Sequence, residues 1–409
     1  MRKLLKFIPF LVLYILIIAI FGKEDLKGDE GRYIYYVTNL LQGFYSPTEN
    51  PFLRNGPGYP LFLLPFYGIG FTVGMLKYMN AALMVGALYF FEATAKRLVS
   101  PKIAWLATVA LGLYFPIYRW LVLLSPVALS IFQVVMVMYG VAKICESRKW
   151  DLRTIGWTGA MLGFLVLTKY IFGMAIMAAS VLGAVAFVVW RKKKLFSLLS
   201  VMGIAFACCI PYLIYTYSLT GRTMYWGTNG GEQLYWMSSD MENEWGNWYG
   251  HTEVLERLEP KLSANHTAFY REVKTLSHME MNDRFKEQAI ANIKANPTNY
   301  IKNWLGNMSR LWFGFPNSHK QQSLKAYFYL IPNMFLVVFL LLSVIPLWKQ
   351  WHRIPLYLWA WATFFAIYLG GTSIVTAIPR YLLIVMPFLI LWLAYVADRL
   401  ITLKIHPPE

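Results

Sequence analysis

Gly28-Asp29-Glu30-Gly31-Arg32-Tyr33 follows within a few residues on an uncharged apolar run, Phe7 to Phe21, with Lys23, Glu24, Asp25 and Lys27 between them. A chain that changes character this sharply is leaving a bilayer. The acidic pair then opens what reads as a helix, with Arg32 and Tyr33 one turn on. A carboxylate at a membrane boundary costs free energy when desolvated, so its presence there points to function more than to packing.

The rest of the chain supports that reading. It has 409 residues, of which 57% are hydrophobic and only 14% charged, against about 25% charged in an ordinary soluble domain. The net charge of +17 suits a nucleic-acid binder only if the basic residues form a patch on a soluble domain. Here they fall in short clusters between apolar spans, so no nucleic-acid partner is expected. The basic N-terminus, Met1 to Lys6, resembles the start of a signal peptide, but no small-residue cleavage site follows, which predicts an uncleaved anchor helix. Cys145, Cys208 and Cys209 lie in or beside spans, so no disulfide framework is expected in the polar segments. The six histidines show no metal-ligand spacing.

A spanning helix needs about 20 mostly apolar residues. Candidates are 7–22, 77–95, 103–118, 124–144, 155–170, 171–190, 196–217, 326–347, 354–370 and 381–398. Lys169 interrupts the pair at 155–190. Basic residues cluster at alternate connections: Lys96, Arg97 and Lys102; Lys143, Arg148, Lys149 and Arg153; Arg191 to Lys194; Lys349 and Arg353; Arg399 and Lys404. Of the 21 acidic residues only Glu92, Glu146, Asp151, Asp398 and Glu409 fall on that side. The positive-inside rule makes it the cytoplasmic side, with both termini there. The expected fold is mainly α: about ten transmembrane helices, interfacial helices in the first outer loop and a small extracytoplasmic helical domain. Residues 1–217 carry the first spans and the outer loop 23–76, 218–325 form the outer domain, and 326–409 hold the last spans and a tail. Within 218–325, helical patterns run over 269–276, 284–295 and 300–311, and Asn296-Pro297 reads as a break with proline opening the next helix.

Four elements could carry chemistry. On a helix from Asp29, residues three and four apart share a face, so Asp29, Arg32, Tyr33 and Tyr36 lie together. Asp29 is a candidate general base and Arg32 an anion clamp; equally, Asp29 and Glu30 would serve to cap the helix. Arg54-Asn-Gly-Pro-Gly-Tyr59-Pro60 is a rigid turn through which backbone can approach a ligand, or simply the turn before an interfacial helix. Lys169, within a long apolar run, either reaches the interface or pairs with an anion. By the proposed topology it lies on the side of Asp29, as does Arg380, so both are candidates for a lipid phosphate. Asn229-Gly-Gly, which asks for positive φ, sits in a run rich in Trp and Tyr. Such a run suits a sugar, or forms an aromatic belt.

Taken in order, these elements resemble the polytopic GT-C glycosyltransferases, in particular the bacterial family-39-like proteins related to protein O-mannosyltransferases and to the lipid A aminoarabinose transferase. The likeness rests on Gly28 to Tyr33, Gly56-Pro-Gly-Tyr-Pro60, Leu167-Thr-Lys169, Pro211-Tyr212 with Gly221-Arg222, Asn229-Gly-Gly231 and Arg380-Tyr381. One departure stands out: Arg54-Asn-Gly-Pro57 replaces the acidic-lysine-proline string of the aminoarabinose transferases.

The resemblance implies transfer of a sugar from a polyprenyl-phosphate donor to a hydroxyl acceptor at the extracytoplasmic face of a bacterial inner membrane. Asp29 would be the catalytic carboxylate with Glu30 beside it. Arg32, Lys169 and Arg380 would hold the donor phosphate. Tyr33, Arg54, Tyr59, Arg222, Asn229 and Tyr381 would contact substrate. No cofactor is required; a divalent cation at Asp29 and Glu30 stays open, without a further ligand cluster. The rival readings are a flippase or transporter of lipid-linked saccharides and a ligase or polymerase with a diphosphate-linked donor.

Overall fold

The computed structural model describes residues 2–23, 25–26, 28–258, 260–319 and 324–401, and among these there are helices and turns but no strand. Glu24, Lys27, Lys404 and Glu409 lie outside the described residues. Helices α1 (Arg2–Leu5) and α2 (Ile8–Phe21) lead into a first polar segment that holds α3 (Glu30–Leu41) and α4 (Gly58–Gly68). Then come α5 (Val73–Ala95), α6 (Pro101–Gly112), α7 (Tyr118–Leu121), α8 (Val127–Glu146), α9 (Leu152–Thr168), α10 (Ile171–Trp190) and α11 (Lys193–Thr220). The second polar segment folds as α12 (Gly230–Ser238), α13 (His251–Leu255), α14 (Pro260–Val273), α15 (His278–Ala295) and α16 (Pro297–Phe313). Helices α17 (Tyr327–Gln350), α18 (Leu356–Val375) and α19 (Pro379–Tyr395) follow.

Among the described residues seven helices are long and apolar enough to cross a membrane: α5, α8, α10, α11, α17, α18 and α19, with α2 and α9 as shorter apolar helices. This is a multi-pass membrane protein. Helix α8 sits at the centre, packed on α5, α9 and α19. Helix α17 is peripheral, and Leu341, Leu342, Val344 and Ile345 stay exposed on it, as suits a lipid-facing helix.

One expected span is interrupted. Residues 103–118 do not form a single helix, because α6 stops at Gly112 and a 3-10 turn, Phe115–Ile117, intervenes before α7. Pro116 cannot continue an α-helix. The carbonyl of Gly112 accepts instead from the Tyr14 hydroxyl at 2.9 Å and the Tyr118 hydroxyl at 3.0 Å. A Cβ at Gly112 would also collide with the Phe10 ring. The interruption expected at Lys169 is real: Lys169 takes an extended backbone between α9 and α10, two separate helices.

The basic helix ends gather at one end of the bundle. Glu92 pairs with Lys6 and Lys96, Arg97 with Glu146, and Asp398 accepts from the amide and hydroxyl of Ser100. Asp29, Lys169 and Arg380 lie at the other end of the spans. The domain formed by α12 to α16, the one expected to lie outside, has its own core around Tyr235, Trp236, Tyr270 and Phe285. Its helices start earlier than the expected 269–276, 284–295 and 300–311. Ser277 and Glu280 form a capping box on α15, and the Asn296 side chain accepts from the Asn299 amide at 3.1 Å, with Pro297 opening α16.

Candidate active site

Asp29 stands at the N-cap of α3, yet its side chain makes no capping hydrogen bond. Both oxygens are engaged by arginine. Arg32, one turn along the helix, donates Nη2 to Oδ1 at 2.5 Å, and Arg380, from the first turn of α19, donates Nη1 to Oδ2 at 2.9 Å. The capping alternative for Asp29 therefore does not hold.

The start of α19 is anchored from the outer domain. The Ala377 amide donates to Asn307 Oδ1 at 2.9 Å, and Asn307 is held in turn by the buried Arg310 at 2.8 Å. Arg32 Nε donates to Asn55 Oδ1 at 2.8 Å, and so ties α3 to the second loop element. Tyr36 fixes that loop, donating its hydroxyl to the Phe52 carbonyl and accepting from the Arg54 amide, each at 3.0 Å. The close approach that the glycines of this turn allow is to neighbouring backbone. A Cβ at Gly56 would fall on the Leu167 carbonyl and one at Gly58 on the Thr168 amide. The turn presses backbone against backbone at the end of α9, and this places Lys169.

These elements enclose a cavity of about 310 Å³. Asp29, Arg32 and Arg380 form one wall, with Lys169 and Tyr381 beside them. Arg54, Asn55, Asn229, Gln233 and Trp248 form the wall nearest the outer domain, and Ile171, Met174, Val375 and Ile378 give it an apolar side between α10 and α18. Arg54 Nη2 is bound to Glu232 Oε2 at 2.6 Å and its guanidinium lies 5.5 Å from the Trp248 ring centre. The Tyr170 hydroxyl donates to Asn229 Oδ1. Lys169 makes no ion pair among the described residues; its ammonium lies 5.0 Å from the centre of the Tyr381 ring. Arg380 Nε is buried without a hydrogen-bond partner.

The cavity is thus richer in cations than in carboxylates. Arg54 is balanced by Glu232, whereas Arg32 and Arg380 share Asp29 alone; burial and the neighbouring Arg380 pull the Lys169 ammonium down to about 7, so an arriving anion would favour its charged form. Burial pushes the Asp29 carboxyl up, but Arg380 and Arg32 outweigh it and hold it down at about 2. An anion entering the cavity would find unspent donors on Lys169 and Arg380.

Of the expected site residues, the structure brings together Asp29, Arg32, Tyr33, Arg54, Lys169, Asn229, Arg380 and Tyr381 on this cavity. Three others are elsewhere. Glu30 points away from Asp29 into the protein, where it pairs with the buried Lys77 at 2.9 Å and accepts from the Leu124 amide at 2.6 Å. Lys77 in turn donates to the Lys23 carbonyl at 2.5 Å. A residue next to a catalytic candidate on a helix faces about 100° away, and Glu30 is not among the residues that line the cavity. A cation shared by Asp29 and Glu30 does not fit this geometry, and no group of three or more His, Cys, Asp or Glu among the described residues could hold a metal. Tyr59 is buried edge-on against Tyr33 at 4.9 Å between ring centres, behind the wall. Arg222 makes a two-pronged pair with Asp283 that ties the end of α11 to α15.

The Asn229-Gly-Gly expectation also needs correcting. Neither glycine takes positive φ; Gly230 opens α12, and Gly231 is needed because a Cβ there would meet the Asn282 carbonyl. Asn55, Gln233 and Trp248 were not singled out individually. Asn55 lies inside the turn at 54–60, and Gln233 and Trp248 inside the aromatic run; the folded contacts of Asn55 with Arg32 and of Trp248 with Arg54, and the place of Gln233 on the cavity wall, distinguish them.

No protein-family model and no curated protein sequence matches the chain. Among solved structures it is similar to two crystal structures of ArnT from Cupriavidus metallidurans, one bound to undecaprenyl phosphate and one in the apo state. Each is 12% identical with a TM-score of 0.42, over 96% and 97% of this chain and 77% and 78% of those chains. A likeness that distant leaves the chemistry of the site to be argued from its own residues.

Proposed function

We propose that this protein is an integral-membrane glycosyltransferase that moves a sugar from a polyprenyl-phosphate donor to a hydroxyl acceptor. The observation that carries the reading is a single carboxylate, Asp29, set among more cations than it needs in a cavity that has an apolar side between spans and an aromatic, amide-rich wall. Lys169 and Arg380 take the donor phosphate, the isoprenoid lies along Ile171, Met174 and Val375, and the sugar stacks near Trp248 with Asn229 and Gln233 as hydrogen-bonding partners.

The acceptor hydroxyl attacks the anomeric carbon as its proton passes to Asp29. A new C–O bond forms, the bond from the anomeric carbon to the phosphate oxygen breaks, and its electron pair leaves with the polyprenyl phosphate. In-line attack inverts the anomeric configuration. Fixed cations stabilise the charge that grows on the phosphate. A carboxylate held near pKa 2 is a weak base. The arriving phosphate answers this: as it draws Arg380 and Arg32 away from Asp29, the carboxylate becomes more basic at the moment it is needed. No cofactor enters the scheme. Facing of the site to the extracytoplasmic side of a bacterial inner membrane, with both termini inside, belongs to the same proposal and rests on the charge asymmetry of the loops.

A transporter needs its ionisable groups near the bilayer midplane. Here they sit at the ends of α9, α10, α18 and α19, which supports one-sided chemistry. The test incubates purified protein in nanodiscs with radiolabelled polyprenyl-phosphate and polyprenyl-diphosphate sugars and hydroxyl acceptors. Release of polyprenyl monophosphate with label on an acceptor is expected. Release of diphosphate would move the protein to the ligase class, and movement of intact donor across proteoliposomes without cleavage would make it a transporter.

A further inference from the structure

A second recess lies at the opposite end of the spans. It has a volume of about 260 Å³ and is lined by Arg97, Arg353 and Arg399 with Tyr357 and Tyr395. The three arginines come from different parts of the chain: Arg97 from the end of α5, Arg353 from the turn before α18, and Arg399 from the helical turn after α19. Helices α18 and α19 run from this recess to the Asp29 cavity. Arg380 and Tyr395 lie fifteen positions apart on α19, which is roughly 22 Å at the rise of an α-helix. The two cavities therefore belong to opposite faces of the membrane.

No carboxylate lines the recess. Glu146 at its edge is taken by Arg97 and accepts from the Tyr357 hydroxyl at 3.4 Å. Asp398 is held mainly by Ser100, with Arg399 Nε at 3.3 Å. Arg353 makes no ion pair among the described residues: its Nη1 donates to the Gln350 side chain at 2.9 Å, and its carbonyl accepts from the Tyr395 hydroxyl at 2.8 Å. A general bias of basic residues to one face accounts for their number. It does not account for three guanidinium forks and two phenols meeting around one hollow. Guanidinium forks match phosphate oxygens. Trp348 in the last turn of α17 and Trp351 on the turn that carries Arg353, 83% and 66% exposed, mark headgroup depth.

We propose that this recess binds the phosphate group of an anionic phospholipid from the leaflet opposite the Asp29 cavity. The lipid bridges the ends of α5, α18 and α19. The proposal is independent of the transferase reading, since it concerns neither the donor nor Asp29.

The test uses the full-length protein in nanodiscs of phosphatidylcholine, with and without phosphatidylglycerol, read by native mass spectrometry and thermal melting. A parallel arm adds inorganic phosphate to phosphatidylcholine discs. The expected result is one phosphatidylglycerol retained with a preference of about fivefold or more over phosphatidylcholine, a higher melting temperature with it, and loss of both in Arg353→Gln/Arg399→Gln. Arg353→Gln alone, an exposed change that leaves Arg399 on the Leu98 carbonyl, is expected to lose most of the preference without loss of fold. Equal retention of the two lipids, or a preference unchanged in these variants, overturns the proposal. Stabilisation by inorganic phosphate as large as that by phosphatidylglycerol, and lost in the variants, overturns the lipid as the source.

Discussion

Asp29 and Glu244 are both set among hydrogen-bond donors, one in the spanning bundle and one in the outer domain, and they are held in opposite ways. Glu244 is fully buried; it accepts from Ser239 at 2.5 Å, Asn265 at 2.8 Å and His266 at 2.9 Å, and His266 accepts in turn from, or donates to, the Tyr235 hydroxyl at 2.8 Å. Burial pushes the Glu244 carboxyl up, and the hydrogen bonds from His266, Ser239 and Asn265 prevail and hold it below its ordinary range. Its donors are spent on it. Asp29 has two strong donors, but those donors have capacity left over, and a third basic group, Lys169, lies beside them with no ion pair among the described residues. Satisfied charge is structure. Surplus charge facing a cavity asks for a ligand.

Asp29 and Glu30 repeat the lesson one residue apart. Glu30 is matched to Lys77 away from the cavity, whereas Asp29 is outnumbered within it.

The contrast can be broken first at Asp29. Asp29→Asn keeps the shape and removes the base, so turnover in the donor-release assay is expected to fall about a thousandfold, with the melting temperature close to that of the parent; turnover within threefold of the parent would take Asp29 out of the chemistry. Lys77→Ala is next. It leaves Glu30 buried beside an empty space, and a loss of about 3 kcal/mol or more in stability is expected, read as a fall in melting temperature, while turnover per folded molecule is kept. Lys169→Ala and Arg380→Ala should each weaken donor binding by about tenfold to a hundredfold, as expected for loss of one charge-assisted contact; unchanged donor affinity, measured by equilibrium binding, would remove that residue from the phosphate clamp. The smallest effect belongs to Arg222→Ala. Its pair with Asp283 is half exposed and well outside the cavity, so a cost under about 1 kcal/mol is expected, with the donor KM unchanged.

Much of this was legible in the sequence because it depends on local pattern. The change from Phe21 to Asp29, the basic connections and the interruption at Lys169 correspond to the observed helices and their ends. Arg32 was placed with Asp29 by helical spacing alone. What escaped needed tertiary knowledge. The span at 103–118 looked continuous because hydropathy does not register that the Gly112 carbonyl is taken by Tyr14 and Tyr118. Glu30 is adjacent in sequence to Asp29, and Tyr59 and Arg222 lie within motif strings; neither adjacency nor a motif says which way a side chain turns. The glycines of Gly56-Pro-Gly58 read as a device for close approach to a ligand; that they approach Leu167 and Thr168 instead, and so position Lys169, is a contact between segments over a hundred positions apart.

The central claim is that arginines restrain Asp29 until a phosphate draws them away, and the pH dependence of turnover tests it most directly. The dependence of kcat/KM reports the free protein and that of kcat the donor complex. Because Asp29 is depressed in the free protein to about 2, it stays ionised as pH falls through the ordinary carboxylate range, and kcat/KM is expected to stay flat down to about pH 4. In the donor complex its affinity for protons is higher, so kcat should decline on an acid limb at higher pH, and that limb should be absent from the residual activity of Asp29→Asn. A kcat as flat as kcat/KM, or an acid limb that persists in Asp29→Asn, would contradict the account.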